Sequence, residues 1–376
     1  MSTMVRFNVS RGPARNCWLR GKRFGDEVKD YELAGAPSDS VSALRFSGKS
    51  CPFLGLSAAS WDETVRFWRI DRDECVAIPK AMTKLSSPPL DTSWNEDGTR
   101  IYVGDCEGKL LAWDLMTDKV TQVGSHEKGV RSCHLVAGSV TSYLMTTSWD
   151  KTVKFWDPRM SSLAASLPLP ERSYAADVCH PLAAVACADN TVTVISLENG
   201  PVERCRYDLM RSGSISSQVR ALAIHKMGQG EDGMAWAVSR TDGWVNFQHL
   251  LNRNRDFNLK CHVDLDLIHN VHNAYAVNDL SFQPGSTVLA TVGSDGQYQF
   301  WDHSTRCRLK RSSLCDQPLT KCAFDAHGDI FAYAVGYDWS MGHEYFDPKV
   351  LPQIFLKSMV DPDLPSRQRE WGLCEV

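Results

Sequence analysis

No run of about 20 apolar residues, the length a membrane-spanning helix needs, occurs anywhere in the 376-residue chain. The longest apolar run, Leu182 to Ala188, is far too short, so no membrane insertion is expected. The stretch from Met1 to Arg15 is polar and shows no secretory signal. There is no excess of positive charge. Lys and Arg number 41 against 45 Asp and Glu, and the net charge of −4 excludes a globally basic nucleic-acid binder, though not a local basic patch. Thirteen cysteines, an odd number, include no Cys-x-x-Cys spacing. They are expected to be free thiols in a reducing compartment, mostly buried as small hydrophobes. Cys261-His262 and His269-x-x-His272 lack the paired spacing of a zinc site, so no metal and no cofactor is expected. The chain has no Gly-x-Ser-x-Gly elbow, no phosphate loop and no His-Glu-x-x-His, so nothing points to an enzyme.

What the chain does have is repetition. Ser60-Trp61-Asp62-Glu63-Thr64-Val65-Arg66-Phe67-Trp68 returns as Ser148-Trp149-Asp150-Lys151-Thr152-Val153-Lys154-Phe155-Trp156. Weaker copies end at Trp113, Ile195, Gln248 and Trp301. A period of about 40–45 residues with a Trp-Asp signature and four strands per unit is the pattern of the WD40 β-propeller. Asp-Gly or Asp-x turns join strands that alternate, Val65 and Phe67 on one face, Arg66 and Trp68 on the other. A seventh unit fits Pro318 to Phe346, with an altered turn at Tyr337-Asp338-Trp339.

The expected fold is therefore all-β, a seven-bladed WD40 β-propeller closed into a ring. Closure removes unpaired sheet ends, and Val28 to Leu33 is expected to supply the strand that completes the last blade beside Gln353 to Leu356. The expected division is a flexible arm over 1–27, the propeller over 28–357 and a tail over 358–376. Ser212 to Ser217 and Gly228 to Gly233 read as polar loops of blade five, and Arg253 to Ala274 as a long insertion between blades five and six.

His126, Ser148, Asp150 and Trp156 are expected to form a buried hydrogen-bonded tetrad pinning a turn, not a catalytic triad. Trp61 and Trp149 precede the turn aspartates and are expected at the top rim, pointing at the central opening, where an aromatic anchor suits peptide binding. Packing against a neighbouring loop is the plainer alternative. Arg131, near the start of blade three, is expected on the same surface. A second feature is basic. Trp301 to Arg311 carries Arg306, Arg308, Lys310 and Arg311 against Asp302, and Leu251 to His262 carries Arg253, Arg255 and Lys260 against Asp256, with Phe257 among them. Cations beside rings suit single-stranded nucleic acid. From composition alone, a solvated rim is the favoured reading of these stretches, with Trp301 as the structural tryptophan of its repeat.

Leu169-Pro170-Glu171-Arg172-Ser173-Tyr174-Ala175-Ala176-Asp177-Val178, Leu259-Lys260-Cys261-His262, Ala290 to Gly296, Ile330 to Ala334 and Tyr337-Asp338-Trp339-Ser340-Met341-Gly342-His343-Glu344 go beyond the generic repeat. With them the chain, over roughly residues 28 to 357, resembles the nuclear-pore-associated WD-repeat mRNA export factor family. The spindle-checkpoint propeller is a close relative that lacks the Tyr-Asp-Trp-Ser-x-Gly-His segment. The resemblance implies a non-enzymatic adaptor at the nuclear pore and nuclear rim, with some cytoplasmic presence. Its implied partner is a GLEBS hairpin of an FG nucleoporin bound across the top face, the chain being one monomer of a heterodimer. Mitotic spindle or checkpoint partners are also implied. Trp61, Arg131, Trp149, Tyr174, Tyr275 and Trp339 are assigned to the hairpin surface by position.

The resemblance also implies a side groove for single-stranded RNA, patterned as Phe-x-Phe-Lys-Cys-His plus a Trp-Asp followed by spaced cations. It carries to Phe257, Leu259, Trp301, His303, Arg306, Arg308 and Lys310. Leu259 and His303 depart from the family's Phe and Lys, which removes a ring and a fixed charge; His303 is expected to be partly charged near neutral pH. In blade five the family's acidic-Gly-Arg turn reads Asp242-Gly243-Trp244 here. A tryptophan cannot make the bidentate carboxylate contact of an arginine, so either Arg240 or Arg220 substitutes or the partner hairpin differs. Two other functions compete: a checkpoint scaffold for GLEBS-like kinase peptides, and a ubiquitin-ligase substrate receptor, since Trp156-Asp157-Pro158-Arg159 resembles a Trp-Asp-x-Arg box.

Overall fold

The computed structural model describes residues 30–359 except 73, 75, 137–141, 210–216, 227–232 and 267–270. Seven four-stranded antiparallel sheets follow one another along the chain. Blade one spans 41–84, blade two 89–125, blade three 130–168, blade four 173–208, blade five 219–260, blade six 277–311 and blade seven 319–358. In each blade the first strand lines the central channel and the last is the outer edge, except in blade seven. There the outermost strand is Tyr31–Glu32, pairing Tyr31 with Leu356 and Glu32 with Phe355. The ring thus closes as expected, but through a two-residue strand; Val28 and Lys29 lie outside the described residues. Asp30 clasps this joint, accepting hydrogen bonds from the Tyr333 hydroxyl at 2.7 Å and Lys357 Nζ at 3.1 Å.

The second strand of each blade is largely buried on both faces because neighbouring blades cover it, and Leu182–Cys187, Val288–Gly293 and Ile330–Val335 are buried throughout. Seven apolar clusters form, one at each interface between adjacent blades, including that between blades seven and one. Carboxylates add stitches along the channel. Asp91 accepts from the Cys133 amide of the next blade at 3.0 Å, Asp177 from Ile224 at 2.8 Å and Asp279 from Cys322 at 3.1 Å.

Three expectations need correcting. Phe257–Lys260 is not part of an insertion: it pairs with Trp244–His249 as the outer strand of blade five, leaving only a small hairpin, Val263–Asp266 with Val271–Ala274, before blade six. The propeller runs past 357, since Ser358 pairs with Ile330 and the Met359 amide donates to the Asp329 carbonyl. The ten described cysteines are free, but only Cys133, Cys187, Cys261 and Cys322 are buried. Residues 1–27, most of the 358–376 tail, Ser212 to Ser216 and most of the 228–233 loop lie outside the described residues.

Candidate functional site

Every innermost strand carries a β-bulge at its second residue. The register shifts lie between Val41 and Ala43, Pro89 and Asp91, Val130 and Ser132, Ser173 and Ala175, Val219 and Ala221, Val277 and Asp279, and Leu319 and Lys321. A bulge re-aims the extra side chain. Six of the seven bulged residues (Ser42, Leu90, Arg131, Arg220, Asn278 and Thr320) line one cavity of about 510 Å³ at the top mouth of the channel. Trp61, Trp149 and Trp339 form its upper wall, and Lys321 joins Arg131 and Arg220 as a third cation.

The indoles are held by rigid turns. Asp62 accepts from the Thr64 amide at 3.0 Å, the Ser38 amide at 2.9 Å and Arg66 Nη2 at 3.2 Å, while Glu63 adopts φ 68°. Burial pushes the Asp62 carboxyl up, but the hydrogen bonds from Thr64 and Ser38 and the Arg66 charge outweigh it and hold it below the usual carboxylate range. Trp61 is left 43% exposed. The same turn recurs at Trp149, with the Thr152 amide donating to Asp150 at 2.9 Å and Lys151 at φ 66°. Gly129 makes room for the Trp149 ring: a Cβ there would come within 2.7 Å of it. Trp339 also has a left-handed backbone, φ 59°, and stacks on Phe346 at 5.0 Å while staying 46% exposed.

The cations are costly to keep there. Burial works against the Arg131 guanidinium more than Asp91 and Asp279 support it, so its pKa lies below the ordinary arginine value. Lys321, 3.7 Å from Asp279, is likewise pushed down by burial. Arg220 donates to Asn278 Oδ1 at 2.8 Å. Of the two arginines that could replace the missing blade-five arginine, Arg220 lines the cavity. Arg240 is buried, with its guanidinium 3.1 Å from Asp242. Trp244 is 37% exposed. Tyr174 is the bulged residue of blade four and Tyr275 lies in the connection just before blade six, but neither lines the cavity; Tyr174 is half-buried with Arg172 over its ring at 5.8 Å. Arg220, Asn278, Thr320 and Lys321 escape a reading of strand alternation. The signal that finds them is their shared place, one or two residues after the start of an inner strand.

The tetrad exists with one exchange. Trp156 Nε1 donates to Thr146 Oγ1 at 2.9 Å, Thr146 meets His126 Nε2 at 2.8 Å, and His126 Nδ1 meets Asp150 at 2.9 Å. Thr146, not Ser148, is the hydroxyl; Ser148 Oγ donates to the Lys128 carbonyl instead. Burial holds His126 below its usual pKa, so the ring is neutral and the chain of donors is continuous. Blade six repeats the device: Trp301 Nε1 donates to Thr291 Oγ1 at 3.3 Å, and His262 bridges Thr291 at 3.0 Å and Asp295 at 2.8 Å. His262, weighed above as a metal ligand, is thus a structural partner.

That second tetrad changes the side groove. Leu259 and Trp301 belong to the apolar cluster between blades five and six, and His303 is 3% exposed. These three are not exposed surfaces on which a base could stack. Burial also lowers the His303 pKa, so the ring is neutral rather than partly charged. The exposed part of the groove is cationic: Arg306 lies over the Phe257 ring at 4.4 Å and Arg308 over Trp301 at 5.9 Å, with half-buried Lys310 in the same outer strand. Phe257 in turn stacks on Phe247 at 4.5 Å. In the Trp-Asp-x-Arg box, Arg159 folds back on Asp157, Nη2 to Oδ2 2.9 Å.

These features define a class: a seven-bladed WD-repeat propeller whose top mouth is a ring of indoles and cations. The family model "WD domain, G-beta repeat" matches residues 118–157 and 265–302. The solved "Structure of U3-55K" is similar in fold alone, with a TM-score of 0.65 at 16% identity, covering 87% of this chain and 98% of that one. Among curated proteins, the chain is 42% identical to "Protein Rae1" of Drosophila melanogaster over 338 residues, 89% of this chain and 96% of the relative. It is 38% identical to "mRNA export factor" of Danio rerio, covering 91% and 92%. It is 36% identical to "mRNA export factor rae-1" of Caenorhabditis elegans, covering 84% of each. The chain belongs to the mRNA export factor family of WD-repeat propellers, a family of non-enzymatic adaptors.

Proposed function

We propose that this chain serves mRNA export at the nuclear pore by binding a GLEBS-type hairpin of an FG nucleoporin across its top face. The observation that carries this reading is the convergence of Trp61, Trp149, Trp339 and Arg131 on one cavity of about 510 Å³. Indoles on rigid turns, two exposed and Trp149 half-buried, lose little entropy on binding and supply large contact area, the profile of interface hot spots. Arg220 offers the carboxylate contact that Trp244 cannot make. A secondary contact with single-stranded RNA rests on Phe257, Arg306, Arg308 and Lys310, because Leu259, Trp301 and His303 are buried.

The test is affinity purification of the tagged chain from its own cells, with identification of partners and imaging. An FG nucleoporin as main partner with a nuclear-rim signal supports the reading. Kinetochore kinases as main partners without a rim signal overturn it in favour of the checkpoint relative.

A further inference from the structure

The outer strand of blade six, Cys307–Arg311, leads into an irregular segment, 312–318, that crosses the top face to the inner strand of blade seven. The exit reads Arg308-Leu309-Lys310-Arg311-Ser312-Ser313-Leu314, so Ser313 has cations two, three and five residues before it and a leucine directly after. The two serines are held differently. Ser312 is half-buried and its hydroxyl is committed, accepting from the Tyr298 amide at 3.0 Å and donating to the Ser313 carbonyl at 2.8 Å. Ser313 is exposed, and its hydroxyl makes no hydrogen bond among the described residues. Leu314 is 72% exposed and adds nothing to the core. Backbone bonds on either side hold the two exposed residues out: the Ser312 amide donates to the Tyr298 carbonyl and the Cys315 amide to the Gly296 carbonyl, both at 2.9 Å.

We propose that Ser313 is a phosphorylation site for a basophilic protein kinase, and that its phosphate weakens hairpin binding at the top face. Kinases select substrates by charge pattern: acidic side chains of the cleft meet cations N-terminal to the acceptor, and an apolar pocket takes the residue after it. The strand that carries the cations is already extended and is paired on one side only, so its open edge faces an incoming cleft. Arg308 is exposed. Arg311 meets Asp264 at 2.9 Å in a pair partly open to water, the kind of weak contact that another carboxylate displaces. In the reaction Ser313 Oγ attacks the γ-phosphorus of ATP, the bond from that phosphorus to the bridging oxygen of the β-phosphate breaks, ADP leaves, and the hydroxyl proton passes to the kinase's base.

The place of the new charge gives it a consequence. A phosphoserine carries roughly −1.5 to −2 at neutral pH. Gly296, which anchors Cys315, belongs to the top turn of blade six, where Ser294 Oγ donates to Asp338, the neighbour of Trp339 in the cavity wall. A dianion beside this turn adds to Asp338 and Asp39, offsets Arg131, Arg220 and Lys321, and repels an acidic hairpin. This consequence rests on the hairpin reading; the modification site does not.

The test incubates the full chain with ATP and the catalytic subunit of cyclic-AMP-dependent protein kinase, then counts and maps phosphate by mass spectrometry. A single phosphate on Ser313 is expected. Ser313→Ala should reduce incorporation to background and Ser312→Ala should leave it, with the circular dichroism spectrum unchanged in both. A chain left unmodified at Ser313, or modified at Ser312 in its place, overturns the proposal. Calorimetric titration of a GLEBS-type hairpin then compares the phosphorylated and unmodified chains. Affinity should fall roughly two- to fivefold on phosphorylation, and by less at high salt; equal affinity overturns the regulatory role. An unmodified chain that does not bind the hairpin overturns the hairpin reading and the regulatory role with it, while the phosphate map decides the site by itself.

Discussion

The top cavity and the side groove draw on the same residue types, tryptophan and arginine, yet they present them differently. At the top, Trp61 and Trp339 stand in turns and face water, 43% and 46% exposed, while Arg131 beneath them is desolvated. In the groove the order is inverted: Trp301 is 7% exposed, and Arg306 and Arg308 lie outside, over rings. Position within the blade decides the role. A tryptophan after the second strand has no core to fill; Trp156 and Trp301, on the third strand of their blades, fill the space between blades and give their N–H to buried threonines. The cavity is therefore suited to an apolar and acidic peptide surface, and the groove to a phosphate backbone with at most one ring for stacking, Phe257.

Five predictions sharpen this contrast, the largest first. Trp301→Ala should lower stability by about 3–5 kcal/mol, the usual cost of deleting a buried large aromatic, with any loss of RNA binding following from unfolding. Denaturant unfolding reads it, and an unchanged midpoint would return Trp301 to the surface.

Acid should come next. The His225 ring packs at 4.9 Å from His303 and stacks on Phe282 at 4.6 Å, and burial pushes its pKa down to about 4 from the usual 6.5. A histidine depressed in the fold binds its proton more readily when unfolded. Its stabilising contribution is therefore full above the unfolded value and lost as pH falls towards the folded one. The loss is about 3 kcal/mol between pH 6.5 and 4. It should shrink in His225→Phe, measured as unfolding free energy against pH.

Phe257→Ala should cost RNA affinity about 1–3 kcal/mol through lost stacking. Arg306→Ala should cost less and flatten the salt dependence. Single-stranded RNA titrations at two ionic strengths separate the two. The smallest change is Gly129→Ala. Its methyl would crowd the Trp149 ring without removing it, so hairpin affinity should fall by less than for Trp149→Ala.

Much of the fold was legible in the residues. The Ser-Trp-Asp repeats mark the second turn of blades one and three, and the Tyr337-Asp338-Trp339 variant marks that of blade seven. Tyr31 and Glu32 lie inside the stretch read as the closing strand. The bulges are not legible, because two-residue alternation carries no mark of an extra residue; Asn278 and Thr320 therefore escape the sequence as cavity-lining side chains, while Arg220 is reached only as a stand-in for the blade-five arginine. Thr146 and Ser148 sit two apart in one strand, so alternation places both on the same face and cannot choose the tetrad hydroxyl. Trp301 reads from its repeat as a structural tryptophan, and its burial agrees; only the resemblance carries it to the groove. Its tetrad partner His262 arrives from the preceding connection, and only the folded ring brings the two together.

On this reading the indoles of the top turns, Trp61 and Trp339 exposed and Trp149 half-buried, hold the partner hairpin, and the side groove does not. Calorimetric titration of a GLEBS-type hairpin into the parent chain, Trp149→Ala and Phe257→Ala tests it most directly. Trp149→Ala should weaken binding by about 2 kcal/mol or more, as for a hot spot, with the unfolding midpoint preserved, while Phe257→Ala leaves the affinity unchanged. Full affinity in Trp149→Ala together with a loss in Phe257→Ala would contradict the account.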